Sequence, residues 1–128
     1  LHRVDRRQRQ MCIRDSAANF QTSISAAVIR TIVFLQGSFM AVWAEDSLVQ
    51  WSVRSPNCQI ILPKRQSKVP SKSIAHKCFA ESIKPPQNTY IKVPNDTWQS
   101  NYQQEKRPLK EMTVFFKNYN ATLSVVKS

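Results

Sequence analysis

Residues 112–126, MTVFFKNYNATLSVV, contain two β-prone runs, Met112–Phe116 and Leu123–Val126, separated by Lys117-Asn118-Tyr119-Asn120. β-Branched and aromatic side chains suit a pleated, half-buried surface, and asparagine tolerates the left-handed backbone that a tight reversal needs. The segment is therefore expected to be an antiparallel hairpin, and it places the chain among the sheet-containing folds. Upstream, Val49, Trp51 and Val53 alternate with Gln50, Ser52 and Arg54, the period of two of a strand with one face turned inward. Ser55-Pro56-Asn57 reads as a turn and Cys58–Leu62 as a short interior strand ended by Pro63. Tyr90, Ile91 and Val93 suggest a further strand, closed by the turn Pro94-Asn95-Asp96-Thr97.

Between these strands, Pro63–Ser73 (PKRQSKVPSKS) is polar, basic and bounded by prolines, which predicts an exposed loop. Ile74, Ala75, Cys78, Phe79 and Ile83 then fall at helical spacing, with Ser71 or Ser73 available as N-cap and Pro85-Pro86 as a stop. The expected fold is α+β: a small antiparallel sheet of four or five strands with one short helix, the alternative being a mostly β domain. No internal repeat and no sustained heptad is present.

The N-terminal sixteen residues, LHRVDRRQRQMCIRDS, resemble translated sequencing-library DNA. Back-translation of Arg6–Ser16 is similar to a transposase-type adapter running into its mosaic end, and Leu1-His2 is similar to the end of the flanking primer. The resemblance marks residues 1–16 as a scar on a fragment assembled from environmental DNA, to be set aside in fold reasoning. The other reading of Arg6, Arg7, Arg9 and Arg14 is a native basic arm.

From Ala17 to Ala44 the chain reads as an export signal. Arg30 precedes the apolar run TIVFLQGSFMAVWA, and Val42 and Ala44 present small side chains at the positions a signal peptidase reads, so cleavage is expected after Ala44. The run is shorter than the ~20 apolar residues a membrane-spanning helix needs. An uncleaved signal anchor, a buried core helix and a true start at Met40 are the alternatives. A single exported domain, 45–128, follows.

Composition narrows the chemistry. Gly37 is the only glycine, which excludes a glycine-rich phosphate cradle or a dinucleotide fingerprint. So skewed a composition also suits a spurious reading frame with no function, an alternative kept beside the others. Setting Cys12 aside with the N-terminal segment leaves Cys58 and Cys78, an even pair that an oxidising compartment would join in a disulfide stabilising a small domain by roughly 3 kcal/mol. Cys58, His76 and Cys78 make the one grouping with metal chemistry, suited to Zn or Cu(I) with Met112 as a soft fourth ligand, but a lone His-Lys-Cys pair lacks the paired framework of a zinc site. The disulfide is the expectation, with no cofactor and no metal.

No catalytic set stands out. His76 has no nucleophile-elbow context, and Glu81, Asp96, Glu105 and Glu111 are expected to be solvated charges scattered among lysines. The usable signal is cationic: from Glu45 onward 13 Lys or Arg stand against 6 Asp or Glu. Lys64, Arg65, Lys68 and Lys72 cluster in the proline-bounded loop, and Lys106, Arg107 and Lys110 form a second group. Trp98 and Tyr102, in a polar setting, are candidate stacking contacts, whereas Trp51 suits the core. These residues predict a small secreted or periplasmic binding or envelope module, not an enzyme, meeting an anionic surface or polymer such as lipid head groups, lipopolysaccharide, acidic glycan or DNA. The alternatives are a cytoplasmic nucleic-acid binder starting at Met40, an inhibitor of a hydrolase, and lysines that serve solubility alone.

Overall fold

The structure, a computed structural model, describes residues 6–58, 60–86, 89–94, 97–98 and 109–127, with side chains from Asn19 onward. Helix α1 spans Arg6–Phe34 and is followed by strands β1 (Phe39–Glu45) and β2 (Leu48–Arg54), helix α2 (Ile74–Glu81), and strands β3 (Ile91–Val93), β4 (Leu109–Phe116) and β5 (Ala121–Lys127). The strands form one antiparallel sheet in the order β2-β1-β5-β4-β3.

The C-terminal hairpin forms as its sequence requires. Met112 pairs with Val125 and Val114 with Leu123, and the reversal is a single 3-10 turn, Lys117–Tyr119, closed by Asn120 at φ 46°. The β1–β2 reversal is tighter: Asp46 and Ser47 both take left-handed backbone, at φ 52° and 69°, the conformation that matches the twist of a two-residue hairpin. The two turns are tied together, Asn120 Nδ2 donating to Asp46 Oδ1 at 2.8 Å and Asp46 N to Asn120 O at 3.0 Å.

The largest departure from expectation lies at the N-terminal side. The apolar run Thr31–Ala44, read as the core and exit of a signal peptide, is divided: Thr31–Phe34 closes α1, and Phe39–Glu45 is β1, paired on one edge with β2 and on the other with β5. Residues 40–44 are all buried because both faces of this strand are covered. A strand covered on both faces reads as a continuous apolar run, the same pattern as a signal core. The folded unit thus begins at least six residues before Glu45.

One face of the sheet, carrying Met40, Val42, Ala44, Val49, Phe115 and Val126, packs against α2 and the β2–α2 connection. Each fully buried aliphatic side chain there contributes roughly 1.5–3 kcal/mol. The other face presents Trp43, Trp51 and Phe116 toward α1, whose Phe20 stacks on Tyr119 at 4.9 Å and meets Phe116 edge-on at 5.2 Å. The expected alternation of β2 is interrupted: Ala44 pairs with Val49 but Trp43 with Trp51, so a bulge at Gln50 sends Val49 and Trp51 to opposite faces.

Helix α2 starts where Ser73 caps it, the hydroxyl accepting from His76 N at 3.1 Å, and ends at Ser82 in the left-handed conformation, ahead of the expected proline stop. Cys58–Leu62, expected as an interior strand, includes Gln59, which lies outside the described residues; the described part supplies no named strand of the sheet, only an isolated bridge at Ile60, and Cys58 and Ile60 are buried as anchors. Cys58 and Cys78 are both buried free thiols, so the expected disulfide is not formed. Their burial serves packing, and both belong to the main apolar cluster.

Candidate functional site

The proline-bounded segment is stitched to the outer edge of β2. Val49 N donates to Ser67 O at 2.8 Å, Gln66 N to Val49 O at 2.7 Å and Val69 N to Ser47 O at 3.0 Å, and Leu48 and Lys68 form an antiparallel bridge. Gln66 supplies the left-handed turn, at φ 67°, that swings the chain back along the strand. Val69 is buried as the anchor, while Lys64, Arg65, Lys68 and Lys72 stay exposed. Their position follows from the local pattern: one apolar residue between prolines pins the segment, and the charged side chains around it stay at the surface.

This edge segment and the Thr97–Trp98 turn enclose a cleft of about 500 Å³. Ile61, Leu62, Pro63 and Pro70 supply apolar wall, Ser67 and Thr97 bring hydroxyl-bearing side chains, and Lys64 and Lys68 line it with cationic ones. The Thr97 Oγ1 is buried with no hydrogen-bond partner among the described residues. Three sequence-predicted residues, Lys64, Lys68 and Trp98, therefore meet at one place. Arg65 and Lys72 belong to the same segment but do not line the cleft. Lys110 lies on β4, away from it, and Tyr102, Lys106 and Arg107 fall outside the described residues.

Trp98 differs from its expected role as an open stacking platform. It is 2% exposed, and its indole N–H donates to Glu111 Oε1 at 2.6 Å. Glu111 in turn is not a solvated charge. It is fully buried on the inner face of β4, where its other oxygen accepts from Thr113 Oγ1 at 2.7 Å and from Ala75 N, in the first turn of α2, at 3.0 Å. Burial raises the carboxyl pKa, and the hydrogen bonds from Thr113, Trp98 and the α2 backbone oppose that rise. The carboxylate holds three elements together: the cleft wall at Trp98, the start of α2 and β4. Leu109, Glu111, Thr113 and Phe115 share one side of the strand, so a period-two reading of residues 109–115 was the available signal for its burial.

Cys78 lies near the same carboxylate. Burial and the charge of Glu111 push its thiol pKa up to about 11, leaving it protonated and unreactive at neutral pH. Among the described residues no three His, Cys, Asp or Glu side chains come together in a metal-binding group, and Cys58, His76 and Cys78 form none. What the site offers chemically is cationic charge and apolar wall, since the Ser67 hydroxyl donates to Lys64 O and the Thr97 hydroxyl is buried. No known protein family matches the chain, and no curated protein is similar to it in sequence.

Proposed function

We propose that this is a non-enzymatic binding module whose cationic edge segment, residues 63–73, and the cleft behind it take an anionic partner. The observation that carries the proposal is the convergence of Lys64 and Lys68 with the Thr97–Trp98 turn around one cleft, on a segment fixed to β2 by backbone hydrogen bonds. A fixed segment loses little conformational freedom on binding, so its charges are presented ready for a partner. No ion pair occupies Lys64, Arg65 or Lys68 among the described residues.

Replacing Lys64, Arg65, Lys68 and Lys72 together by Gln should weaken binding to phosphatidylglycerol vesicles, lipopolysaccharide, an acidic glycan or DNA, whichever the parent binds, while the fold stays intact. Added salt should weaken the parent as well, because screening contracts to about 8 Å at physiological ionic strength. Equal binding by parent and four-fold variant overturns the proposal.

A secreted or periplasmic location belongs to this reading only with processing before Phe39, since cleavage after Ala44 would remove the strand joining β2 to β5. The position of β1 and the two buried free thiols favour a second reading, a cytoplasmic nucleic-acid binder starting at Met40. No helix among the described residues is long and apolar enough to cross a membrane. Mass analysis of the N-terminus after bacterial expression separates the two: a product beginning between Ala17 and Phe39 in the exported fraction supports the first, and retention in the cytoplasm the second.

A further inference from the structure

The strand register places three lysines side by side. Lys92 on β3 pairs with Lys110 on β4, and Lys110 pairs with Lys127 on β5. Cross-strand partners project from the same face, so the three stems form one row perpendicular to the strands, about 10 Å long at the usual strand spacing. The row lies on the face opposite α2, at the end of β4 away from Phe116, where Phe20 of α1 packs, and Lys92 and Lys110 are exposed there. It is therefore separate from the cleft at Lys64 and Lys68, which lies on the α2 side.

Like charges directly opposite each other destabilise a sheet, and here two consecutive pairs do so. No carboxylate among the described residues offsets them. Glu111, next along β4, projects to the other face, and Glu45, at the far end of β1, accepts from the Trp43 indole. Among the described residues a compensating contact is given for Lys127 alone, its Nζ standing 4.2 Å from the centroid of the Tyr90 ring. Lys92 and Lys110 are exposed.

We propose that Lys92, Lys110 and Lys127 form a binding site for a compact, multiply charged phosphate group, a diphosphate or a terminal phosphomonoester on a small molecule. Three flexible stems rooted within about 10 Å can converge on one such group, which cancels the repulsion among them. An extended polyanion fits less well. Beyond Lys127 the row meets Phe39, its register partner on β1, and the neighbouring positions Met112 and Val125 are apolar, so the cationic track stops after three charges.

The test is a titration of the full chain with sodium pyrophosphate at low salt, followed by amide chemical shifts and by thermal unfolding. Saturable shifts at residues 90–92, 110 and 127, and none at 64–68, are expected. The variant K92Q/K110Q/K127Q should bind pyrophosphate at least about tenfold more weakly. The single variant K110Q, which deletes both like-charge contacts at once, should melt higher than the parent without ligand and gain less from pyrophosphate. Shifts centred on residues 64–68, or equal affinity in parent and K110Q, would overturn the site. Tighter binding of duplex DNA than of pyrophosphate at the same resonances would overturn the compact ligand.

Discussion

Replacing Glu111 by Leu should be among the most damaging single changes available to this fold. The substitution keeps the volume roughly constant and removes the acceptor for the Trp98 indole N–H and the Ala75 N–H, both buried; Thr113 retains the Ser124 hydroxyl at 2.9 Å. Two orphaned donors cost about 1–3 kcal/mol each, and the apolar replacement recovers part of that, leaving a loss of about 3 kcal/mol. In urea, with a slope of about 1.3 kcal/mol/M for a domain of this size, the midpoint should fall by about 2 M. Glu111→Gln keeps one acceptor oxygen and should lose about half as much. The two variants also separate charge from shape through pH. The folded-state pKa of Glu111 is raised above 4.5, so the folded protein holds this proton more tightly than the unfolded chain. The associated stability is fully present below pH 4.5 and is lost as pH rises through the folded value. That decline should be absent in Glu111→Gln. A Glu111→Leu protein with the parent's midpoint, or parallel pH profiles for parent and Glu111→Gln, would refute the role assigned to this carboxylate.

A chain beginning at Glu45 lacks β1, and it should show no cooperative urea transition, whereas one beginning at Ala17 should; a cooperative transition for the shorter chain would place β1 outside the folding unit. Cys58 and Cys78 should fail to react with a thiol reagent at pH 7.5 in the folded state and react fully in denaturant; rapid labelling of both in native protein counts against their burial. Phe20→Ala should cost about 1 kcal/mol or more, read from thermal unfolding, since it removes the stack on Tyr119 and the edge contact with Phe116.

The parts legible in the chain were those whose signal is local. The 112–126 hairpin, a strand at Ile91–Val93 and the Ser73-capped helix all announce themselves through short-range period and turn chemistry, and all three are present, while Asn95 and Asp96 of the turn expected after the strand lie outside the described residues. β1 is not legible in this way because a strand buried on both faces has no polar alternation, and its apolar run is the pattern an export signal also shows. The Gln50 bulge, which reverses the facing of Val49 relative to Trp51, follows from the pairing with β1 and has no mark of its own in β2. At the candidate site, the lysines of residues 63–73 were visible as a cluster, but the cleft behind them depends on Trp98, whose polar neighbours suggested exposure while its indole reaches inward to Glu111. The lysine row is a product of register alone: Lys92, Lys110 and Lys127 are dispersed in sequence, and only the strand order brings them into line.

The pairing of Trp43 with Trp51 across β1 and β2 leaves two indoles nearly parallel, at 4° between planes and 6.4 Å between centroids. Chromophores this close couple their transitions, and the coupling depends on how the two rings are offset and rotated, so the pair is an intrinsic optical gauge of strand registry. Sliding β2 by a single residue would carry Trp51 to the opposite side of the sheet and uncouple the two rings. The exciton band in the far-ultraviolet circular dichroism therefore reports whether the bulge at Gln50 is in place, and during refolding it would time the docking of β2 onto the sheet without any added label.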